Sequence, residues 1–153
     1  MKIRQPNPVI LMADDDLDDC LLAKEALAES PLANSLYFVH DGEELMDYLY
    51  HRGEYTEQSH APRPGLLLLD INMPKKDGIE ALRELKADLV LRSIPVVVLT
   101  TSLSEEDIFR SYDLGANSYI TKPVTFRDLA DVMHTLKRYW FDIVNLPLKV
   151  PGD

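Results

Sequence analysis

The sequence predicts an α/β fold: a doubly wound parallel sheet of five strands with helices on both faces. Three observations carry that expectation. Short runs of Val, Ile and Leu alternate with longer segments of helical periodicity, strand then helix, five times. The first, third and fourth strand runs are apolar throughout rather than alternating, the pattern of strands buried on both faces. Several of them stop abruptly at a polar or charged residue.

Val9–Ala13 (VILMA) is the first strand and stops at Asp14, Asp15 and Asp16. Leu17–Ala28 follows with apolar residues at 17, 21, 22, 26 and 27, a helical spacing. Ser30, Pro31 and Asn34 mark a turn, and Leu36–Val39 is a short second strand. Asp41-Gly-Glu-Glu44 resembles a capping box that opens a helix with Leu45, Tyr48 and Leu49 on one face. Arg52–Gly65, with Pro62 and Pro64, is the least patterned stretch and reads as an exposed loop. Leu66–Leu69 runs directly into Asp70. Pro74 and Gly78 bound the next loop, and Asp77 is placed to cap a helix carrying Ile79, Leu82, Leu85 and Leu89. Pro95–Leu99 ends in Thr100 and Thr101. Ser104 and Asp107 open a fourth helix, which Gly115 stops. Ser118–Thr121 is the last strand, followed by Lys122-Pro123, and Thr125 with Asp128 opens a long final helix.

At 153 residues the chain is the size of one domain. Hydrophobic residues make up 46% and charged residues 27%, which excludes a disordered chain. The net charge of −10 argues against a nucleic-acid groove, which needs clustered Lys and Arg. Cys20 is the single cysteine, so no disulfide can form within the chain. No apolar run approaches the ~20 residues that span a bilayer, and Met1 to Pro8 has no signal-peptide core. The expectation is a soluble, acidic, cytoplasmic protein without nucleic-acid or membrane partners. His40, His51, His60 and His134 show no metal-ligand spacing and read as surface or loop residues. Thirteen residues follow Trp140, too few for an effector domain.

In an open parallel sheet, ligands bind beyond the carboxyl ends of the strands, where strand order reverses. If the order is 2-1-3-4-5, the first and third strands are neighbours, and Asp14, Asp15 and Asp70 share one pocket. Clustered carboxylates repel one another unless a cation sits among them, and an oxygen-only set suits Mg²⁺ better than Zn²⁺. Lys122 adds a charge suited to a phosphoryl oxygen, and Thr100 adds a hydroxyl donor. A carboxylate nucleophile beside Mg²⁺, a Lys and a hydroxyl is a phosphoryl-accepting arrangement.

These residues, in this order, resemble a response-regulator receiver domain of two-component signalling. The matching positions are Asp14-Asp15, Asp70-Ile-Asn-Met-Pro74, Asp77-Gly78, Thr100-Thr101-Ser102, Gly115-Ala116, Tyr119 and Lys122-Pro123. The resemblance runs from about Val9 to Arg138, with 55 residues from Asp15 to Asp70, 30 more to Thr100 and 22 more to Lys122. It implies the flavodoxin-like order 2-1-3-4-5, a receiver over residues 8–140 and an extension over 141–153. It also implies roles: Asp70 as phosphoacceptor; Asp15 and Asp14 as Mg²⁺ ligands, together with Asp70 and the Asn72 carbonyl; and Lys122 holding a phosphoryl oxygen. Thr100 and Tyr119 would be the switch pair, and Lys122-Pro123 would be a cis peptide. The implied partner is a sensor histidine kinase, and the implied role is that of a signalling phosphoacceptor rather than an enzyme, promoting at most its own phosphorylation and dephosphorylation. The loop with Gly53-Glu-Tyr55 and Ala61–Pro64, the Met73–Gly78 run, and the tail from Tyr139 to Pro147 are similar to the small regulators of phytochrome kinases.

Two other functions fit parts of the same pattern. An aspartate-nucleophile phosphatase would use Asp70, but it would want an acid two residues later, where Asn72 stands. A pseudo-receiver would bind partners without phosphorylation, against which Asp14, Asp15, Asp70, Thr100 and Lys122 all argue. A stripe of Phe126, Leu129, Met133, Leu136, Trp140 and Ile143 completes the reading. A helix from Thr125 to Val144 would span about 30 Å, whereas a five-residue strand spans about 17 Å. The stripe outruns the sheet, so a homodimer is expected in which Tyr119, Leu136, Trp140, Phe141 and Ile143 face a second subunit.

Overall fold

A computed structural model of the chain describes residues 8–28 and 35–151. The turn expected at Ser30, Pro31 and Asn34 lies outside the described residues, as does the N-terminus up to residue 7. Strands β1 (Ile10–Ala13), β2 (Leu36–Val39), β3 (Leu66–Leu69), β4 (Val96–Thr100) and β5 (Ser118–Thr121) form one sheet in the order β2-β1-β3-β4-β5. All pairs are parallel. Helices α1 (Leu17–Ala26), α2 (Gly42–Tyr50), α3 (Gly78–Ala87) and α4 (Glu105–Asp113) connect them, and α5 (Phe126–Lys137) follows β5. The doubly wound sheet and its predicted order are both present.

Strand periodicity divides the interior into two cores. Leu11, Ala13, Leu67, Leu69, Val96 and Val98 face α2 and α3. Ile10, Met12, Leu66, Leu68, Val97 and Leu99 face α1 and α5. A slip of one residue in any central strand would exchange these sets, so the register is tightly specified. Side-chain caps fix where the helices begin. Asp16, Asp41, Asp77, Ser104 and Thr125 each accept a backbone N–H from the first turn of their own helix. Gly115, with φ of 112°, ends α4 as expected. No described helix is long and apolar enough to cross a membrane.

Four expectations need correction. The inward face of α1 is Asp19, Cys20 and Ala23, continued by Leu27, while Leu17 and Leu21 are exposed. Small residues at Cys20 and Ala23 let the helix approach the sheet beside α5, which large side chains would prevent. The loop over Arg52–Gly65 is not simply exposed. It forms 3-10 turns at Gly53–Tyr55 and Gln58–His60, buries Ala61, and is pinned by Tyr48 Oη–H to the Pro62 carbonyl at 2.7 Å. The Asp41 box is half-formed: Asp41 accepts the Glu44 N–H at 2.8 Å, but Glu44 Oε1 reaches back one residue further, to the His40 N–H.

The fourth correction concerns the tail. Leu136, Trp140 and Phe141 are buried in the chain's own second core, together with Leu146. After α5 the helix widens into a π-helical stretch over Arg138–Ile143, and the chain then returns along the start of the sheet. A Cβ on Gly65 would stand 2.9 Å from Leu148 and 3.0 Å from Pro8, so the tail packs onto the segments entering β1 and β3. The surface expected from a second subunit is supplied by the tail itself. Of the residues expected to face a second subunit, Ile143 stays exposed and Tyr119, on β5, is half-buried.

Candidate functional site

The parallel sheet delivers four strand ends to one edge. Asp14 and Asp15 follow β1, Asp70 follows β3, Thr100 ends β4, and Lys122 follows β5. One oxygen from each of Asp14, Asp15 and Asp70 lies within 4.8 Å of the others. Asp14, Asp70, Thr100 and Lys122 are buried, whereas Asp15 is exposed to solvent.

Both oxygens of Asp70 are held. Thr100 Oγ1–H donates to Oδ1 at 2.8 Å and the Asn72 backbone N–H to the same oxygen at 2.9 Å. Lys122 Nζ donates to Oδ2 at 3.1 Å. The same ammonium reaches Asp14 Oδ2 and Asp19 Oδ2, each at 2.8 Å, so its three protons meet three carboxylates. Asn72 Nδ2 lies 3.4 Å from Thr100 Oγ1. The Lys122 N–H also donates to the Thr100 carbonyl at 2.7 Å, tying β5 to β4 at the pocket wall.

The local backbone is shaped for this arrangement. A Cβ on Gly78 would lie 2.5 Å from both the Asp70 carbonyl oxygen and Ile71 Cα. Only glycine lets the start of α3 come this close to the loop that carries Asp70. The peptide before Pro123 is not cis, contrary to expectation, because no described peptide bond is. Lys122 reaches Asp70 through a trans bond, the form X–Pro favours by about 0.5–1 kcal/mol.

One ammonium cannot balance Asp14, Asp15, Asp19 and Asp70. Burial, with Asp70 nearby, pushes the Asp14 carboxyl up from 3.8 to about 6, although Lys122 and the Asp16 N–H pull the other way. Burial works against the charge on Lys122, but the hydrogen bonds it donates to Asp14 and Asp19, with the charges of Asp14 and Asp70, outweigh it and hold the ammonium protonated. The Cys20 thiol beside the pocket is buried and pushed up to about 12, so it is inert. An oxygen-only donor set with surplus negative charge fits a hard divalent cation.

The sequence-predicted residues Asp14, Asp15, Asp70, Asn72, Thr100 and Lys122 therefore meet. Tyr119 does not join them directly; its hydroxyl donates to the Ser102 carbonyl at 2.9 Å, in the loop leaving Thr100. Asp19 and His40 were missed. Asp19 looks like an ordinary first-turn acid, but its spacing of four from Ala23 and eight from Leu27 puts it on their buried face. His40 Nδ1 lies 3.0 Å from the Asp14 backbone carbonyl oxygen, a contact that no side-chain motif announces.

Relatives share this architecture. The response regulator receiver domain family matches residues 10–134. Response regulator Rcp1 of Synechocystis sp. is 42% identical over 142 residues, covering 93% of this chain and 95% of that protein. Among solved structures, the phosphorylated cyanobacterial phytochrome response regulator RcpA superposes with a TM-score of 0.87 at 44% identity, over 93% of this chain and 99% of that one. The Mn²⁺-bound form of response regulator Rcp1 gives 0.85 at 42%, over 92% and 99%. With its whole sheet and both helical layers shared at this level of identity, the chain belongs to the response regulator receiver domain family.

Proposed function

We propose that this protein takes a phosphoryl group on Asp70 from a sensor histidine kinase of the phytochrome type, in a Mg²⁺-dependent reaction, and signals through altered protein contacts. One observation carries the reading: both oxygens of Asp70 are engaged by donors, beside two further carboxylates with too little positive charge between them. Asp14, Asp15, Asp70 and the Asn72 carbonyl are the residues that would hold the ion. When bound, it supplies positive charge to the phosphoryl oxygens.

The chain's own residues do the rest. Asp70 attacks phosphorus as a carboxylate; the new P–O bond forms as the donor's P–N bond breaks and its electron pair leaves with the imidazole. The Asn72 N–H keeps the carboxylate in orientation. Once Asp70 is a mixed anhydride, its weakened acceptor oxygens release Lys122 and Thr100 to the phosphoryl group. Movement of Thr100 is passed along the loop to Ser102 and so to the Tyr119 hydroxyl, which makes this the switch pair.

The phytochrome assignment is supported by the identity to Rcp1 and RcpA across nearly the whole chain, including the long loop and tail that phosphoryl chemistry does not require. Pairing of two copies rests on Tyr119 and Ile143, and sedimentation equilibrium with and without acetyl phosphate tests it. The central test is intact-mass measurement with acetyl phosphate. Wild type gains one phosphoryl group only when Mg²⁺ is present, and Asp70→Asn gains none. Equal labelling of the two proteins refutes the assignment.

A further inference from the structure

His40 stands at the end of β2, outside the set of strand ends that supply the pocket. Its half-buried ring turns toward the pocket, and Nδ1 lies 3.0 Å from the Asp14 carbonyl oxygen. A carbonyl oxygen only accepts, so Nδ1 carries the hydrogen. That carbonyl belongs to the peptide joining Asp14 to Asp15. Fixing its plane fixes where the Asp15 Cα, and hence the exposed Asp15 carboxylate, can point. The preceding peptide is already fixed, because the Asp14 N–H donates to the Val39 carbonyl at 3.0 Å. The other donor at the Asp14 carbonyl is the Cys20 thiol at 3.6 Å, a weak one.

His40 is itself braced. Its backbone N–H donates to Glu44 Oε1 at 2.6 Å, and Glu44 Oε2 accepts the Tyr55 hydroxyl at 2.9 Å. The departure of Glu44 from the ordinary capping box, which would have bonded the Asp41 N–H, is what provides this brace. A continuous chain of hydrogen bonds thus runs from the Gly53–Tyr55 turn, through Glu44 and His40, to the peptide between two pocket carboxylates.

We propose that His40 is a positioning residue: its Nδ1–H locks the Asp14–Asp15 peptide in the orientation that brings both carboxylates onto the cation site. The inference rests on the metal-dependent phosphoacceptor reading given above. Groups that orient ligands without touching the ion contribute about 10–100-fold to metal affinity in known sites.

The test uses three variants of the intact protein. Asn carries its amide nitrogen on Cγ, where histidine carries Nδ1, so His40→Asn keeps the donor. Gln places it one atom further, and Leu removes it. Calorimetry with MgCl₂ should give wild type and His40→Asn the same affinity within about threefold, and His40→Leu and His40→Gln affinities about tenfold or more weaker. Urea unfolding in EDTA separates positioning from stability, since a merely structural role would weaken His40→Asn and His40→Leu alike in stability and leave affinity unranked. In the metal-free wild type, imidazole ¹⁵N spectra should show Nδ1 protonated. Equal Mg²⁺ affinity in His40→Leu, or a proton on Nε2 alone, overturns the proposal and leaves the phosphoacceptor reading intact. Failure of wild type itself to bind Mg²⁺ overturns both.

Discussion

Replacing Asp14 with Asn should make the metal-free protein more stable while removing its cation site. The carboxyl of Asp14 is 1% exposed and its pKa rises from 3.8 to about 6, chiefly through burial. A group whose folded pKa is raised binds its proton more tightly in the folded state. Its favourable contribution is therefore complete below about pH 4 and is lost as pH climbs through 6. The gap from 3.8 to about 6 corresponds to about 3 kcal/mol at about 1.4 kcal/mol per pH unit, which wild type forfeits above neutrality. Asn never carries that charge. It does lose one hydrogen bond, because its NH₂ must face either the Asp16 N–H or Lys122 Nζ, both of which need an acceptor. A bond of that kind is worth about 1–2 kcal/mol, leaving a net gain of about 1–2 kcal/mol. Urea unfolding in EDTA measures the difference between the two proteins, with other carboxylates cancelling in the comparison. The gap should be largest near pH 8 and shrink or reverse near pH 4. With Mg²⁺ at about a hundred times its dissociation constant, wild type should gain about 2.7 kcal/mol and the variant nothing. A variant less stable than wild type near pH 8, or a difference that ignores pH, would refute the reasoning.

Lys122→Met should cost about 3–5 kcal/mol in EDTA, because Asp14, Asp19 and Asp70 lose their shared cation, and added Mg²⁺ should restore part of it in thermal melts. Gly78→Ala pushes a methyl against the Asp70 carbonyl and should cost about 1–3 kcal/mol by urea unfolding, with slower labelling by acetyl phosphate; wild-type behaviour would mean that α3 can retreat freely. Phe141→Ala should cost about 3–5 kcal/mol by an amount independent of protein concentration, since the ring is buried within one chain; a concentration-dependent loss would place it at an interface.

The pocket was legible because a parallel sheet sends every strand's carboxyl end to one edge. An apolar run that stops at Asp14, Asp70, Thr100 or Lys122 therefore also states where that residue lies in space. Helix faces were less legible. On α1, Leu17 and Leu21 look like the inward stripe, yet the buried side carries Asp19 and the small Cys20 and Ala23, because that side must hold Lys122 and lie close to the sheet. Periodicity locates a helix but cannot rank two candidate faces when the buried one contains a charge whose partner lies 103 residues away. The tail misled for a related reason. Comparing helix length with strand length assumes that the core ends where the sheet ends, whereas Leu146 and Leu148 extend it past the entry of β1 and β3.

The placement of Lys122 directly after the edge strand β5 has a dynamic consequence. β5 pairs on one side only, with β4, and is half-buried along its length. Edge segments of this kind open locally at a lower free energy than the centre of a sheet. Here such opening would also pull the ammonium away from Asp14, Asp19 and Asp70, so unzipping the edge and unpairing the pocket are a single event. A cation delivered to those carboxylates relieves the lysine of part of its electrostatic task and makes the edge easier to release. Amide hydrogen exchange along Ser118–Thr121 thus becomes a gauge of how much positive charge the pocket already holds, read from backbone groups that lie outside it.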